Sequence, residues 1–101
     1  MCGAPDQAVA LPPGTDLTKE TVLTGRVVAD GQPVAGAYVR LLDGTGEFTA
    51  EVVSSAAGQF RFFAAPGTWT LRALSRSGNG QVELTADGPG VHRAEVSVSV
   101  A

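Results

Sequence analysis

The side chains that could bind a metal or move a proton are few and scattered. The chain has one histidine, His92, and one cysteine, Cys2. Asp87 and Glu95 are near His92 in the sequence, but their spacing matches no metal-ligand motif. We therefore expect His92 to be an ordinary residue at a strand edge, and the sequence predicts neither a metal site nor a cofactor.

The residue patterns of hydrolytic and phosphate-binding sites are also missing. No serine lies in a Gly-x-Ser-x-Gly elbow, no aspartate completes a triad, and the acidic residues form no pair for acid–base catalysis. The glycine-rich stretches GTGE and SGNGQ do not lead into a helical pattern, so a phosphate cradle would lack its helix N-terminus. We therefore expect a protein that is not an enzyme.

Cys2 is the only thiol, and it raises one chemical hypothesis. Removal of Met1 would leave an α-amine beside the thiol and raise its thiolate fraction. A reactive thiolate on a mobile arm would be suited to carry a persulfide or to form a mixed disulfide. The simpler interpretation is an incidental exposed residue, because no neighbouring side chain activates the thiol. A thiol enzyme would need Cys2 as its nucleophile, without the usual supporting histidine and asparagine.

Composition limits the partners and the compartment. The 101 residues are 44% hydrophobic and carry a net charge of −3 with interspersed signs, as in one globular domain. There is no basic footprint for nucleic acid and no polybasic or amphipathic face for a membrane. A single cysteine forms no intrachain disulfide, and no signal-peptide pattern or membrane-length apolar run is visible, so we expect a cytoplasmic location.

Two regions differ in their patterning. Residues 1–20 are rich in proline, glycine and small side chains and are expected to form an extended N-terminal arm. Residues 21–101 alternate with period two between turns rich in glycine and proline, which predicts short strands. Such spacing is typical of an all-β, antiparallel β-sandwich. About seven strands are predicted: TVLTGRVVA, AYVRLL, FTAEVVS, QFRFFA, TWTLRAL, QVELTA and HRAEVSVSV.

The strands QFRFFA and TWTLRAL are joined by a Pro-Gly pair, which is typical of a type II turn. A hairpin over this turn would set Phe62 opposite Leu71 and Arg61 opposite Arg72. It would also direct Trp69 inward with the phenylalanines. We expect one core formed by Leu23, Val27, Val39, Leu41, Phe60, Phe62, Trp69, Leu71, Val96 and Val98.

The opposite side of the same strands is the candidate interaction face. Its predicted members are Tyr38, Arg40, Leu42, Arg61, Phe63, Arg72 and Leu74. Arginines placed directly opposite each other need a negative group between them, which could be Glu51, an anionic ligand or a partner protein. Arginine, tyrosine and phenylalanine are enriched in interface cores. The alternative is a solvated face with arginine stems lying over aromatic rings.

The order of these elements resembles the carboxypeptidase regulatory-like domain, a transthyretin-like (prealbumin-like) β-sandwich. The resemblance rests on Gly25-Arg26-Val27, GQPVAGAYVRL, Gly58-Gln59-Phe60-Arg61-Phe62 and APGTWTLRA. It departs at SSAAG, where that family often has an acidic residue before the glycine. The whole chain, including MCGAP and KETVLTGRVV, is similar to a small bacterial family of uncharacterised proteins. That family is associated with thiosulfate sulfurtransferase by name and gene neighbourhood.

Three functional hypotheses remain open at this point. The first is a non-enzymatic accessory or protein-interaction module, for which the resemblance implies a sulfurtransferase as partner. The second is a module for a small ligand or carbohydrate, as the sandwich relatives imply, although an inward Trp69 leaves no tryptophan for sugar stacking. The third is a sulfur carrier or thiol enzyme based on Cys2. A homodimer is compatible with each of them.

Overall fold

The computed structural model describes residues 14–99, which form eight β-strands without a helix. Seven of the strands coincide with the predicted ones. The additional strand, β2, is a two-residue pairing within DGQPVAG, a segment that the sequence predicts only as a turn. The bounds are β1 Thr21–Ala29, β2 Gln32–Pro33, β3 Tyr38–Leu42, β4 Phe48–Val53, β5 Gln59–Phe63, β6 Gly67–Ser75, β7 Gly78–Ala86 and β8 Gly90–Ser97.

The strands form two four-stranded sheets that pack face to face. In sheet I, β1 pairs with β2, β5 and β8. In sheet II the order is β4-β3-β6-β7, and every pair is antiparallel. The predicted all-β sandwich is confirmed, with one refinement, because β8 runs parallel to β1.

The core lies between the two sheets, where the inward residues of the alternating strands meet. Nine of the ten predicted core residues are buried there, with Phe60, Leu23, Leu41 and Leu71 among the largest fully buried side chains. Trp69 is the exception, since it is only half-buried and packs against this cluster. Its indole Nε1 donates a hydrogen bond to the carbonyl of Ala65 at 2.9 Å, which satisfies the ring's polar group.

The predicted hairpin at Pro66-Gly67 is wrong, because this segment crosses from one sheet to the other. β5 pairs with β1, and β6 pairs with β3. Phe62 and Leu71 therefore enter the same core from opposite sheets. The alternation could not reveal this, because a hairpin and a corner between two sheets bury the same residues.

Two glycines let β8 close one side of the sandwich. A Cβ at Gly25 of β1 would overlap the carbonyl oxygen of Ala94, and a Cβ at Gly80 of β7 would overlap that of Ser97. Only glycine permits the backbones to approach so closely. Beside Gly80, Asn79 and Ser99 exchange backbone hydrogen bonds of 3.2 and 3.1 Å. The last strand therefore lies at a seam between the two sheets.

A buried serine anchors the C-terminal end of β4. Ser54 is 3% exposed, and its hydroxyl donates to the carbonyl of Val34 at 2.7 Å. The same oxygen accepts a hydrogen bond from the backbone N–H of Ala37 at 2.9 Å. Ser54 thus satisfies two backbone groups in the chain between β2 and β3 that would otherwise lack partners.

An aspartate organises the turn at the other end of β4. Oδ1 of Asp43 accepts hydrogen bonds from the hydroxyl and the N–H of Thr45, at 2.6 and 2.9 Å, and from the N–H of Glu47 at 3.1 Å. These bonds, above all the one from the Thr45 hydroxyl, hold the pKa of Asp43 below its usual value. The turn fixes the entry of the chain into Phe48, the first residue of β4.

Candidate functional site

The outer side of sheet II presents the candidate interaction surface. The strand register aligns Glu51, Arg40, Arg72 and Gln81 in one row across all four strands. A neighbouring row contains Tyr38 and Leu74. We call this surface the Tyr38 face and define it by Tyr38, Arg40, Phe48, Glu51, Arg72, Leu74 and Gln81.

The two arginines of the Tyr38 face lie directly opposite each other on β3 and β6, where like charges are unfavourable. Each is drawn towards a different outer strand. Arg40 Nε contacts Glu51 Oε2 at 2.7 Å, and Arg72 donates to Gln81 Oε1 at 3.1 and 3.2 Å. Glu51 was one of three candidates for the negative group between Arg61 and Arg72, and it pairs instead with Arg40. The side-chain partner of Arg72 is thus the uncharged amide of Gln81, whereas that of Arg40 is a carboxylate.

Aromatic side chains stand beside this charged row. Phe48 is 61% exposed and Tyr38 is 53% exposed. The sequence pattern missed Phe48 because a bulge between Leu41 and Leu42 shifts the register. The bulge places Phe48 opposite Leu42. Leu42 was predicted to be solvent-facing, but beside this ring it is only 7% exposed.

Arg61 and Phe63 belong to the outer side of sheet I, away from the Tyr38 face. Arg61 is the register partner of Thr24, and Arg72 is the partner of Arg40. The predicted Arg61–Arg72 pair is therefore wrong, and the predicted face is divided between the two sheets. The guanidinium of Arg61 lies 5.9 Å from the centroid of the Phe63 ring, within cation–π range.

His92 is the remaining candidate side chain that the structure describes. His92 lies on the edge strand β8, and its Nε2 donates to the carbonyl of Gly88 at 2.8 Å, in agreement with a structural role. No group of three histidine, cysteine or carboxylate side chains comes together within residues 14–99. Cys2 and the first part of the predicted arm lie outside the described residues.

The described part of the chain also lacks any helix that is long and apolar enough to span a membrane.

Two packed sheets with this topology define a transthyretin-like β-sandwich, and solved structures of that class are similar. The 5-hydroxyisourate hydrolase of Klebsiella pneumoniae gives a TM-score of 0.59 at 18% identity, over 78% of this chain and 84% of the hydrolase. A DUF3823 family protein from Parabacteroides merdae gives 0.62 at 20% identity, over 81% of this chain and 47% of that protein. Catechol 1,2-dioxygenase from an Acinetobacter species gives a TM-score of 0.60 at 12% identity, over 96% of this chain and 59% of the dioxygenase. At such identities the similarity establishes the fold alone.

The chain belongs to the DUF1416 family of proteins of unknown function, whose model matches residues 2–98. Two uncharacterized proteins of Mycobacterium tuberculosis H37Rv are 60% identical over 100 residues, which covers 98% of this chain and 100% of each relative. An uncharacterized protein of Mycolicibacterium smegmatis is 64% identical over 90 residues, which covers 88% of this chain and 100% of that relative. The predicted membership in a bacterial family of uncharacterised proteins is thus confirmed. The names of these relatives carry no link to a sulfurtransferase or to the carboxypeptidase regulatory-like domain, and both links stay predictions.

Proposed function

We propose that the protein is a non-enzymatic accessory module that binds another protein through the Tyr38 face. The observation that supports this proposal is the exposure of Phe48 and Tyr38 in one patch with Arg40 and Arg72. Tyrosine, phenylalanine and arginine are enriched in interfaces, and tyrosine and arginine dominate interface hot spots. Both rings are more than half exposed, although Phe48 also lies opposite the buried Leu42.

The Tyr38 face contains two depressions that could accept side chains of a partner protein. A depression of about 480 Å³ lies beside Tyr38 and Leu74. A second one, of about 360 Å³, lies between Leu74 and the pair formed by Arg72 and Gln81. Leu74 thus lines both depressions. An apolar side chain of a partner that entered either depression would contact Leu74 and be shielded from water.

The charges of the Tyr38 face favour an acidic group on the partner. Glu51 already neutralises Arg40, whereas the hydrogen-bond partner of Arg72 is the uncharged Gln81. A partner carboxylate could therefore form a charge-assisted bond with Arg72, shielded from solvent by the aromatic rings. The expected partner surface combines an acidic residue with an apolar side chain.

The sequence resemblance suggests which partner to test first. It associates this family with thiosulfate sulfurtransferase, so we propose that such an enzyme, in the cytoplasm, is bound by the Tyr38 face. The Cys2 carrier hypothesis would fit this pairing, since a carrier must reach the enzyme that loads it.

Quantitative affinity capture from the native host tests the Tyr38 face. The baits are the wild-type chain, Phe48→Ser, Arg72→Glu and the control Lys19→Glu, which makes the same charge change as Arg72→Glu in an exposed turn before β1. Wild type and Lys19→Glu should recover the same partner, and each face variant should recover at least tenfold less. Equal recovery by all four baits, or no protein above the resin background, would contradict the interaction module.

Calorimetric titration with purified sulfurtransferase from the same host tests the partner separately. Saturable binding that Arg72→Glu removes would support it. An absence of heat at two well-separated temperatures would exclude the enzyme as partner, because burial of apolar surface makes the binding enthalpy depend on temperature. The capture experiment tests the Tyr38 face independently.

The carbohydrate-binding alternative has less support. Trp69 is half-buried and its indole N–H is occupied by Ala65, so a sugar would have to stack on Tyr38 or Phe48. Binding of an oligosaccharide that Tyr38→Ser removes would favour this alternative over protein recognition.

A further inference from the structure

The outer side of sheet I, opposite the Tyr38 face, carries an apolar row at one end. β1 lies between β8 and β5, and the register aligns Val91, Val22 and Phe63 across the three strands. The next residues, Leu23 and Phe62, belong to the core between the sheets, so alternation directs this row to the outer side. Three apolar side chains thus face away from the core at the start of β1.

Val22 is buried although it lies on this outer side. Its side chain is 0% exposed, and it does not belong to the core cluster between the sheets. Phe63, beside it in the row, is 47% exposed. Side chains of one row stand next to each other, roughly perpendicular to the sheet, so neighbours shield the flanks of a valine and leave its top open. Complete burial of Val22 therefore requires a further chain segment above the row.

The described chain that leads into β1 leaves space beside this row. Residues 16–20 are all exposed, with Leu17 at 39%, so they are not pressed onto the sheet. A depression of about 400 Å³ lies between Lys19, near the end of this lead-in, and the residues Phe63 and Pro66. An additional segment of chain can therefore lie against Phe63.

The sequence just before the described residues is suited to cover an apolar row. The described chain begins at Gly14, whose φ of +85° is typical of the third position of a type II turn formed by a Pro-Gly pair. Residues 8–13 read AVALPP and carry no charge. Proline-rich chains favour the polyproline II conformation, whose backbone is fully solvated, so such a segment can lie on a sheet face without strand partners. Proline-rich segments also dock on aromatic side chains, and Phe63 offers an exposed ring.

Covalent linkage favours this segment over a separate chain as the cover of Val22. Residues 14–20 alone separate it from Thr21, the first residue of β1. A short linker of this kind gives an effective concentration in about the millimolar range. A partner protein or a second copy would have to exceed that concentration to take the same place.

We propose that residues 8–13 pack across this row on the outer side of sheet I. Leu11 lies above Val22 and excludes water from it. The two prolines that follow lie against the exposed ring of Phe63. The docked segment limits the reach of Cys2 to about 20 Å from residue 8, because six residues of extended chain span no more. The interaction is distinct from the Tyr38 face and does not depend on it.

NOE spectroscopy of the full chain, with ¹³C-labelled leucine and valine methyl groups, tests this contact. NOEs between the methyl groups of Leu11 and Val22 would support the proposal, and their absence would overturn it. The source of the NOEs is identified by mixing chains labelled only at leucine with chains labelled only at valine. In that mixture the same NOE can arise only between two molecules, so its presence would mean that a second copy covers Val22 and that the proposal is wrong.

Two leucine variants of the same kind complete the test. Leu11→Ser should lower the Tm by about 4–8 °C, because Val22 loses its apolar cover. It should also shift the amide resonances of Val22 and Val91. Leu17→Ser, the same exchange at an exposed position of the lead-in, should change the Tm by less than about 2 °C. If the two variants have the same Tm, or if Leu11→Ser leaves the amide of Val22 unshifted, residues 8–13 do not dock on this row.

Discussion

Replacing Gly25 with alanine tests the close approach of β8 to β1. The added methyl group would overlap the carbonyl oxygen of Ala94 and come within 2.9 Å of the Phe60 ring. A carbon–oxygen contact needs about 3.5 Å, so the β8 backbone would have to move by more than about 1 Å. Backbone in a ladder cannot yield as a flexible side chain does, and the displacement would disturb the β1–β8 hydrogen bonds.

The magnitude follows from the cost of overpacking. Inserting atoms into a packed core costs about 1–3 kcal/mol, and we expect the upper end, about 3 kcal/mol, because the clash is with backbone. In a domain of this size, 1 kcal/mol changes the Tm by about 4–8 °C, so the Tm should fall by about 12–24 °C. Such a loss is a large part of a total stability of about 5–15 kcal/mol.

Gly88→Ala is the matched control, because a Cβ at Gly88 would meet nothing within 4 Å. Its reduced entropy in the unfolded chain should leave the stability unchanged or raise it by up to about 1 kcal/mol. Both variants are measured by thermal and urea unfolding followed by tryptophan fluorescence. A Tm of Gly25→Ala within about 3 °C of that of Gly88→Ala would refute the close packing of β8 on β1.

Three further predictions concern single side chains. Ser54→Ala leaves two backbone groups without a partner and should lower the free energy of unfolding in urea by about 2–4 kcal/mol. The control Ser77→Ala, at an exposed position, should change that free energy by less than about 0.5 kcal/mol. The lowered pKa of Asp43 means that its turn adds stability above the ordinary aspartate value of about 3.9 and loses it as the pH falls through the folded pKa. A carboxyl NMR titration should give a midpoint below that value, and a midpoint at or above it would contradict the Thr45 hydrogen bonds. The Cys2 carrier hypothesis expects intact-mass spectra that lack Met1 and show one added, reducible sulfur after incubation with sulfurtransferase and thiosulfate, whereas a retained Met1 or an unchanged mass would leave Cys2 incidental.

The local pattern was sufficient to predict strands and inward residues, since alternation is a property of each segment. Phe60, Phe62 and Leu71 were identified as core residues without any knowledge of their partners. The pairing was not accessible in this way. Phe62 could face Leu71 within one sheet or across two, and both arrangements bury the same atoms.

The composition of the candidate site was harder to predict than its side-chain directions. Arg40 and Arg72 were correctly placed facing outward, but their position opposite each other follows from the β3–β6 pairing, which is long-range. Phe48 was missed because its exposure depends on a bulge, and a single displaced residue reverses the alternation. The position of Arg93 beside Thr24 was not predicted, because the parallel pairing of β1 with β8 cannot be recognised from the pattern of either strand alone.

The pairing of β1 with β8 also determines when the chain can fold. Thr21 is the register partner of Gly90 and Val28 that of Ser97, so β1 cannot complete its ladder until the chain has left the ribosome as far as Ser97. At about 5–20 residues per second, β1 waits several seconds for its last neighbour. Contacts of such long sequence separation also slow folding to about milliseconds or seconds, because the loop entropy is lost before the contacts form. Throughout that interval the edge of β1 is unpaired and its Leu23 and Val27 side chains lack part of their core, a combination that favours pairing with other chains.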